Sequence, residues 1–285
     1  TSNRDLLRPL NRRRGSGVVI FADPNFHGAP VNTMVPPTST PVQTELAAQL
    51  ATVKSLPGTR DEALRLVSLF PNAQTWLGDN ASESAFLSLT TPRILHVATH
   101  GHFLDVDDLE EETGRGISQK RKPVASTPMK PALRSTSSAA LARSVLVLAG
   151  AAHLASYPVD TSSGERRDGL VTALEVANMD LRGTELVTLS ACETGKGHTA
   201  WAGQGVYGLR RSFIVAGAET LVTSLWRVDD QATSELMAGY YRNLLLGQGR
   251  AAALETAALG LRQKKPHPYY WAPFVAIGRA DPLRP

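Results

Sequence analysis

The chain holds one cysteine, Cys192, placed where an apolar β-type run, Leu186-Val187-Thr188-Leu189, breaks into the small turn Ser190-Ala191-Cys192-Glu193-Thr194-Gly195. An earlier run of the same kind, Ile94-Leu95-His96-Val97-Ala98-Thr99, ends in His100-Gly101. Laid side by side and parallel, the two strands bring a thiol and an imidazole together at the carboxyl edge of one sheet, where open parallel sheets collect ligands and catalytic groups. A thiol is a nucleophile only as thiolate, and a neighbouring imidazole supports that form by accepting its proton or stabilising the ion pair. His100 would then protonate a leaving amine, while the backbone N–H groups of Gly101 and Cys192 hold the tetrahedral oxyanion. Gly101 and Gly195 allow the close backbone approach that a peptide carbonyl needs. Spacing offers His100 no carboxylate partner, so the expectation is a dyad whose imidazole is oriented by a backbone carbonyl. Each residue also has a plainer reading: a lone strand-end cysteine is often a small buried hydrophobe, and a lone histidine is often structural.

A third segment, 221–230, runs from strand-like residues into Trp226-Arg227-Val228-Asp229-Asp230. Either carboxylate can cap the helix expected from Gln231. In the functional reading Trp226 supplies an apolar wall and Asp230 an acidic floor for a basic substrate side chain, with Ser190 and Asp229 as further substrate-binding candidates. Glu193 follows the proposed nucleophile, and its charge beside a thiolate would disfavour ionisation, so it is expected to point away. His96, His100, His102 and Asp105 are residue types that bind zinc, although they match no standard ligand signature. His27, His153, His198 and His267 read as surface or turn residues, and Trp201 and Trp271 as core or helix-end anchors.

These residues need a scaffold, and apolar runs alternating with helical spacing supply one. Strands are expected near 17–22, 73–77, 93–99, 144–149, 184–190 and 219–225, and helices over 60–70, 82–89, 170–177, 205–216, 231–246 and 250–262. Residues 33–56 are ambiguous and no internal repeat is present. Such alternation describes a mostly parallel sheet covered on both faces. The stretch 105–143 breaks the pattern: acidic first (Asp105 to Glu112), then basic among Ser, Thr and Pro, it is far longer than an ordinary βα connection. It reads as a solvated surface insert, or as a regulatory or cleavable segment beside His100.

Composition narrows the classes. At 285 residues, 42% hydrophobic and 20% charged, the chain can bury an ordinary core, and a formal charge of +4 argues for no nucleic-acid partner. One cysteine forms no internal disulfide and no signal-like segment opens the chain, so a reducing cytoplasm is the expected compartment. No run reaches the length of a membrane span, and no cofactor is implied. The start at Thr1 suggests a domain from something longer.

Four motifs occur in order: His-x-Ala-x-His-Gly (96–101), Leu-Val-Thr-Leu-Ser-Ala-Cys-x-Thr-Gly (186–195), Ser-Leu-Trp-x-Val-x-Asp (224–230) and Trp271-Ala272-Pro273-Phe274. Together with Ala22-Asp23-Pro24, Leu56-Pro57-Gly58 and Gly278 they resemble the CHAT domain, a caspase-like cysteine protease family of clan CD type akin to separase. The resemblance implies a caspase-like α/β/α sandwich with a mostly parallel central sheet of about six strands. It implies His100 and Cys192 as the dyad, the Gly101 and Cys192 amides as the oxyanion hole, and Asp230 at the place that binds a basic P1 side chain in separase. It also implies a protein substrate and an activator or upstream tetratricopeptide repeat domain outside this chain. The corresponding layout is an extension at 1–16, the protease domain at 17–280 containing the insert 105–143, and a tail at 281–285. Two alternatives stand beside the protease: a non-catalytic scaffold of the same fold, and a zinc hydrolase built on His96, His100 and His102.

Overall fold

Strands buried on both faces need near-continuous rather than alternating apolar runs, and 18–22, 94–98 and 186–189 are of that kind, interrupted only by His96 and Thr188. The computed structural model describes residues 14–28, 50–103, 144–156, 168–190, 192–193 and 202–285. The insert 105–143, with Asp105, the ambiguous 33–49, Gly195, His198 and Trp201 lie outside them. The elements run β1 (Ser16–Pro24), α1 (Pro57–Leu69), β2 (Gln74–Gly78), α2 (Glu83–Leu87), β3 (Pro92–Ala98), β4 (His100–Phe103) and β5 (Ser144–Val147). A short 3-10 turn (Ala151–Ser156) leads to β6 (Leu170–Thr172), α3 (Ala173–Asn178), β7 (Leu186–Leu189), β8 (Cys192–Glu193) and α4 (Ala202–Ala216). Then follow β9 (Thr220–Ser224), α5 (Asp230–Leu245), α6 (Arg250–Lys264), α7 (Pro268–Trp271) and β10 (Phe274–Gly278).

Six strands form the central sheet in the order β10-β9-β7-β3-β1-β2, parallel throughout except for the antiparallel edge strand β10. Helices α1, α5 and α6 cover one face around Leu66, Met237, Tyr240, Tyr241 and Ala253. Helices α2, α3 and α4 cover the other around Phe86, Val176 and Phe213. The result is a three-layer α/β/α sandwich.

A second sheet, β6-β5-β4-β8, carries the functional candidates. Strands β3 and β7 pair in parallel, break, and pair again as β4 and β8 with the same offset: Val97 partners Leu189 before the break, and His100 partners Cys192 after it. The crossing is bridged by the Ser190 N–H donating to the Val97 carbonyl at 2.8 Å, and by the Thr99 hydroxyl donating to Val147.

Two expectations are corrected here. Residues 170–177 are not one helix: Leu170–Thr172 pairs antiparallel with β5, and α3 begins only after Thr172. Thr172 and Glu175 form a reciprocal capping box, a signal present in the sequence that marks the true start. The strand at 144 belongs to the second sheet, and the sixth place in the central sheet is taken by β10. Apolar content marked the strand at 144 but not β10, and strand partners are set by long-range packing.

Buried carboxylates mark two ends of the structure. Glu83, in the first turn of α2, accepts the Gly169 N–H at 2.9 Å. Burial, and then the Asp168 carboxylate, push its pKa up to about 8. An acid held neutral in the fold stabilises it fully below its unfolded pKa, and that stability is lost as pH rises from there through the folded value. Glu83→Gln is therefore expected to match the natural protein near pH 4.5 and to unfold at a higher denaturant concentration above pH 8, by on the order of a few kcal/mol. Denaturant titrations at the two pH values check this, and equal offsets at both would refute it.

At the amino-terminal ends of the strands, Glu185 accepts from Arg93 Nε at 3.0 Å, Arg250 Nη2 at 3.1 Å and the Arg284 N–H at 2.8 Å. Arg250 also donates to Thr220 Oγ1 at 3.1 Å and to Glu219 at 3.4 Å, and Arg284 Nη2 reaches Glu219 at 2.7 Å. This cluster ties residues 279–285 back onto the sheet.

Candidate active site

The site starts from the end of β1. Asp23, at φ 45°, donates its N–H to Thr59 Oγ1 at 2.9 Å, and its carboxylate accepts from Arg60 Nε at 2.6 Å. The Ala22-Asp23-Pro24 turn thereby docks the first turn of α1, where Pro57 supplies a preset φ and lacks only an N–H that would have no helical partner. The chain just before α1 packs Leu50, Val53 and Leu56 onto Phe26, Val145 and Val147 of the second sheet.

That packing delivers the Lys54 carbonyl to His100 Nε2 at 2.9 Å. A carbonyl only accepts, so Nε2 carries the proton and Nδ1 is the basic nitrogen. Nδ1 is buried and has no hydrogen-bond partner among the described residues. The Phe26 ring lies tilted against the imidazole with centroids 5.3 Å apart. Burial, assisted by Arg227, holds the His100 pKa below its ordinary value, against the opposing pull of the Lys54 carbonyl and Asp230. The ring is thus neutral at pH 7.

A cavity of about 170 Å³ opens beside it, bounded by 54–56, Thr59 and Glu62 of α1, Thr99, His100, Ser190, and by Arg227, Val228, Asp230 and Thr233 at the start of α5. The two adjacent aspartates divide their roles. Asp229 caps α5 by accepting the Ala232 N–H at 2.9 Å, so Asp230 is left to line the cavity. Burial first, then Asp229 and Glu62, push the Asp230 carboxyl up, while His100 and Arg227 pull it down. Gly58 makes the close fit of α1 against α5: a Cβ there would fall 2.3 Å from Asp230 Cβ.

Of the residues singled out in the sequence, His100, Ser190 and Asp230 meet at this cavity, and the backbone of Cys192 pairs with that of His100. Gly101 pairs in the same way with Glu193. Trp226 is not part of the lining; it is 38% exposed, and its Nε1 donates to the Tyr269 carbonyl at 3.3 Å. Asp229 is spent on its cap. Trp271 anchors a helix end, donating to the Pro266 carbonyl at 3.0 Å beneath the Arg262 guanidinium. His27 and His153 contact nearby backbone carbonyls, and His267 caps α7.

The zinc reading requires His96 beside His100 and His102. His96 is instead fully buried, with Nδ1 3.1 Å from Tyr241 Oη and Nε2 3.0 Å from Glu62 Oε1. After the strand break at Thr99, His100 belongs to the small sheet, and its Nε2 meets the Lys54 carbonyl instead. Among the described residues no group of three His, Cys, Asp or Glu side chains is arranged to hold a metal ion.

Sequence reasoning missed the Lys54 carbonyl, Arg227 and Glu62. A backbone acceptor has no residue-type signal. Glu62 had one: α1 buries Thr59, Glu62, Ala63 and Leu66, so a carboxylate sits on the stripe that faces the core.

A mostly parallel six-stranded sheet between two helical layers, from which the histidine and cysteine strands emerge as paired neighbours, defines a caspase-like α/β/α domain. The chain belongs to the CHAT domain family, whose model matches residues 1–279. It is similar to tetratricopeptide repeat protein 28 of Homo sapiens, 28% identical over 233 residues that make up 78% of this chain and 8% of the relative. To the Mus musculus protein of the same name it is 32% identical over 114 residues, 39% of this chain and 4% of the relative. It therefore spans a small fraction of the length of the curated relatives it matches. No helix among the described residues is long and apolar enough to cross a membrane.

Proposed function

We propose that the domain is a cysteine endopeptidase acting on a protein substrate through His100 and Cys192. The observation that carries this is the backbone pairing of those two residues, supported by a His100 whose Nε2 is engaged and whose Nδ1, without a hydrogen-bond partner among the described residues, can act as base. In the proposed reaction His100 Nδ1 takes the proton of Cys192 Sγ, and the thiolate attacks the scissile carbonyl carbon. The Gly101 and Cys192 amides hold the oxyanion. Collapse of the tetrahedral intermediate expels the amine, which takes the proton from His100, and a water deprotonated by His100 then hydrolyses the thioester. Asp230 receives a basic P1 side chain. An activator, or a repeat domain upstream of this one, controls access, in keeping with the name of the relatives, and the thiol chemistry suits a reducing cytoplasm.

Incubation of the protein and of Cys192→Ala with a peptide library, with cleavage sites read by mass spectrometry, tests this. Cleavage only by the natural protein supports a protease, and identical patterns from both refute it. Asp230→Ala is expected to lower kcat/KM on Arg or Lys P1 peptides by on the order of 100-fold, the usual cost of deleting one member of a buried charge pair. Neutral P1 peptides should be cleaved nearly as before. Equal losses on both classes would mean that Asp230 only holds the start of α5.

A further inference from the structure

Glu62 is 2% exposed, sits on α1, and reaches β3 and the β7–β8 link, the segments that lead into the strands of His100 and Cys192. Its Oε2 accepts from Ser190 Oγ at 3.2 Å, in the link between β7 and β8. Its Oε1 lies 3.0 Å from Nε2 of His96, near the end of β3, off the axis of a regular hydrogen bond. The chain of contacts continues from His96 Nδ1 to Tyr241 Oη at 3.1 Å, and Tyr241 donates to Thr188 Oγ1 at 2.9 Å, on β7. With the Tyr241 proton given to Thr188, the phenol oxygen must accept from His96 Nδ1–H. Nε2 on the other side of the ring lies in close polar contact with Oε1, so the imidazole is seated between the carboxylate and the phenol. One buried carboxylate thus ties β3 to the β7–β8 link just where both strands leave the central sheet, two residues before Cys192 and four before His100.

Resting on the reading of His100 and Cys192 as a dyad, we infer that Glu62 is its positioning residue, a buried clamp that keeps the two strands in register across the break between the sheets. Both it and His100 line the cavity, but no hydrogen bond joins them: His100 Nε2 meets the Lys54 carbonyl and Nδ1 has no partner among the described residues. The groups that face it are His96 from β3, Ser190 from the β7–β8 link, and Tyr241 and Asp230 from α5.

The single cysteine makes a direct test possible, because alkylation of the native protein by iodoacetamide reports on Cys192 alone. Glu62→Gln is expected to lower kcat about 10- to 100-fold, the scale of loss from a reacting group displaced by about 1 Å, with KM within about twofold. The pH midpoint of alkylation should move up toward that of a free thiol, about 8.5. The direction decides the matter: a carboxylate acting by charge alone would ease thiol ionisation on removal and move the midpoint down. Ser190→Ala, which cuts one tie only, should shift kcat and midpoint the same way by less, and serves if Glu62→Gln does not fold. Unchanged kcat and midpoint in the folded variants, or a downward shift, overturns the inference. If His100→Ala also leaves the midpoint at the natural value, the dyad itself is wrong, an outcome distinct from failure of the clamp alone.

Discussion

Cys192→Ala is expected to lower peptide hydrolysis by on the order of 10⁴-fold or more, to the level left by binding and the oxyanion donors alone. No second thiol exists in the chain to take over. His100→Ala should come close to the same loss, because members of a nucleophile and base pair act as a unit and their deletions do not add. Its residue of activity should grow with pH, as an unassisted thiol ionises near pH 8.5. In the natural protein burial holds the His100 pKa below the ordinary value of about 6.5, so the acid limb of the kcat/KM profile should fall below that pH. The check is turnover of a library-selected peptide from pH 5 to 9, with circular dichroism on each variant to confirm folding. Turnover by folded Cys192→Ala within tenfold of the natural protein would end the proposal.

Arg250→Ala is expected to cost about 3–5 kcal/mol, the scale seen when one partner of a buried ion pair is removed and the other is left uncompensated. Arg250 is 1% exposed and meets Glu185, Glu219 and Thr220. Burial alone would raise the Glu185 carboxyl, but the Arg284 N–H and the Arg93 and Arg284 guanidiniums overcome it and hold the pKa below the ordinary range. A depressed acid contributes stability that is present above the unfolded pKa and is lost as pH falls through the folded one, so the cluster weakens only in acid. For a domain of this size the midpoint of thermal unfolding should fall by roughly 10 °C. Lys264→Ala breaks the exposed pair with Glu235 and should change stability little. A thermal midpoint for Arg250→Ala within about 2 °C of the natural one would show that these charges offset their own desolvation without the arginine.

The separation of the two effects follows from the architecture. The Arg250 cluster lies at the amino-terminal ends of the strands and the cavity at their carboxyl ends, so Arg250→Ala should unfold the domain sooner without altering P1 preference, whereas Asp230→Ala should do the reverse.

Much of the fold was legible because its signals are local. Apolar runs at 18–22, 94–98 and 186–189 are broken only by His96 and Thr188 because both faces of those strands are covered, and the three-to-four spacing at 231–246 and 250–262 reports helices with one buried side. The order of residues likewise set His100 and Cys192 just past the ends of two such runs. Asp229 and Asp230 were both plausible caps from sequence, and only the geometry of the first turn of α5 assigned the cap to Asp229 and the cavity to Asp230.

What the chain determined by itself was most of the strands and helices of the central sandwich and which reactive residues lie at their ends, since side-chain size and periodicity act over a few neighbours; β4, β6 and β10 were not among them. Tertiary structure alone decided that β3 and β7 divide between two sheets without losing register, that β10 rather than the strand at 144 closes the central sheet, and that the Lys54 carbonyl and Glu62 arrive from α1 and its approach. Those choices depend on surfaces that meet only when distant segments pack, and a backbone carbonyl or a buried carboxylate carries no mark in sequence of the partner it will find.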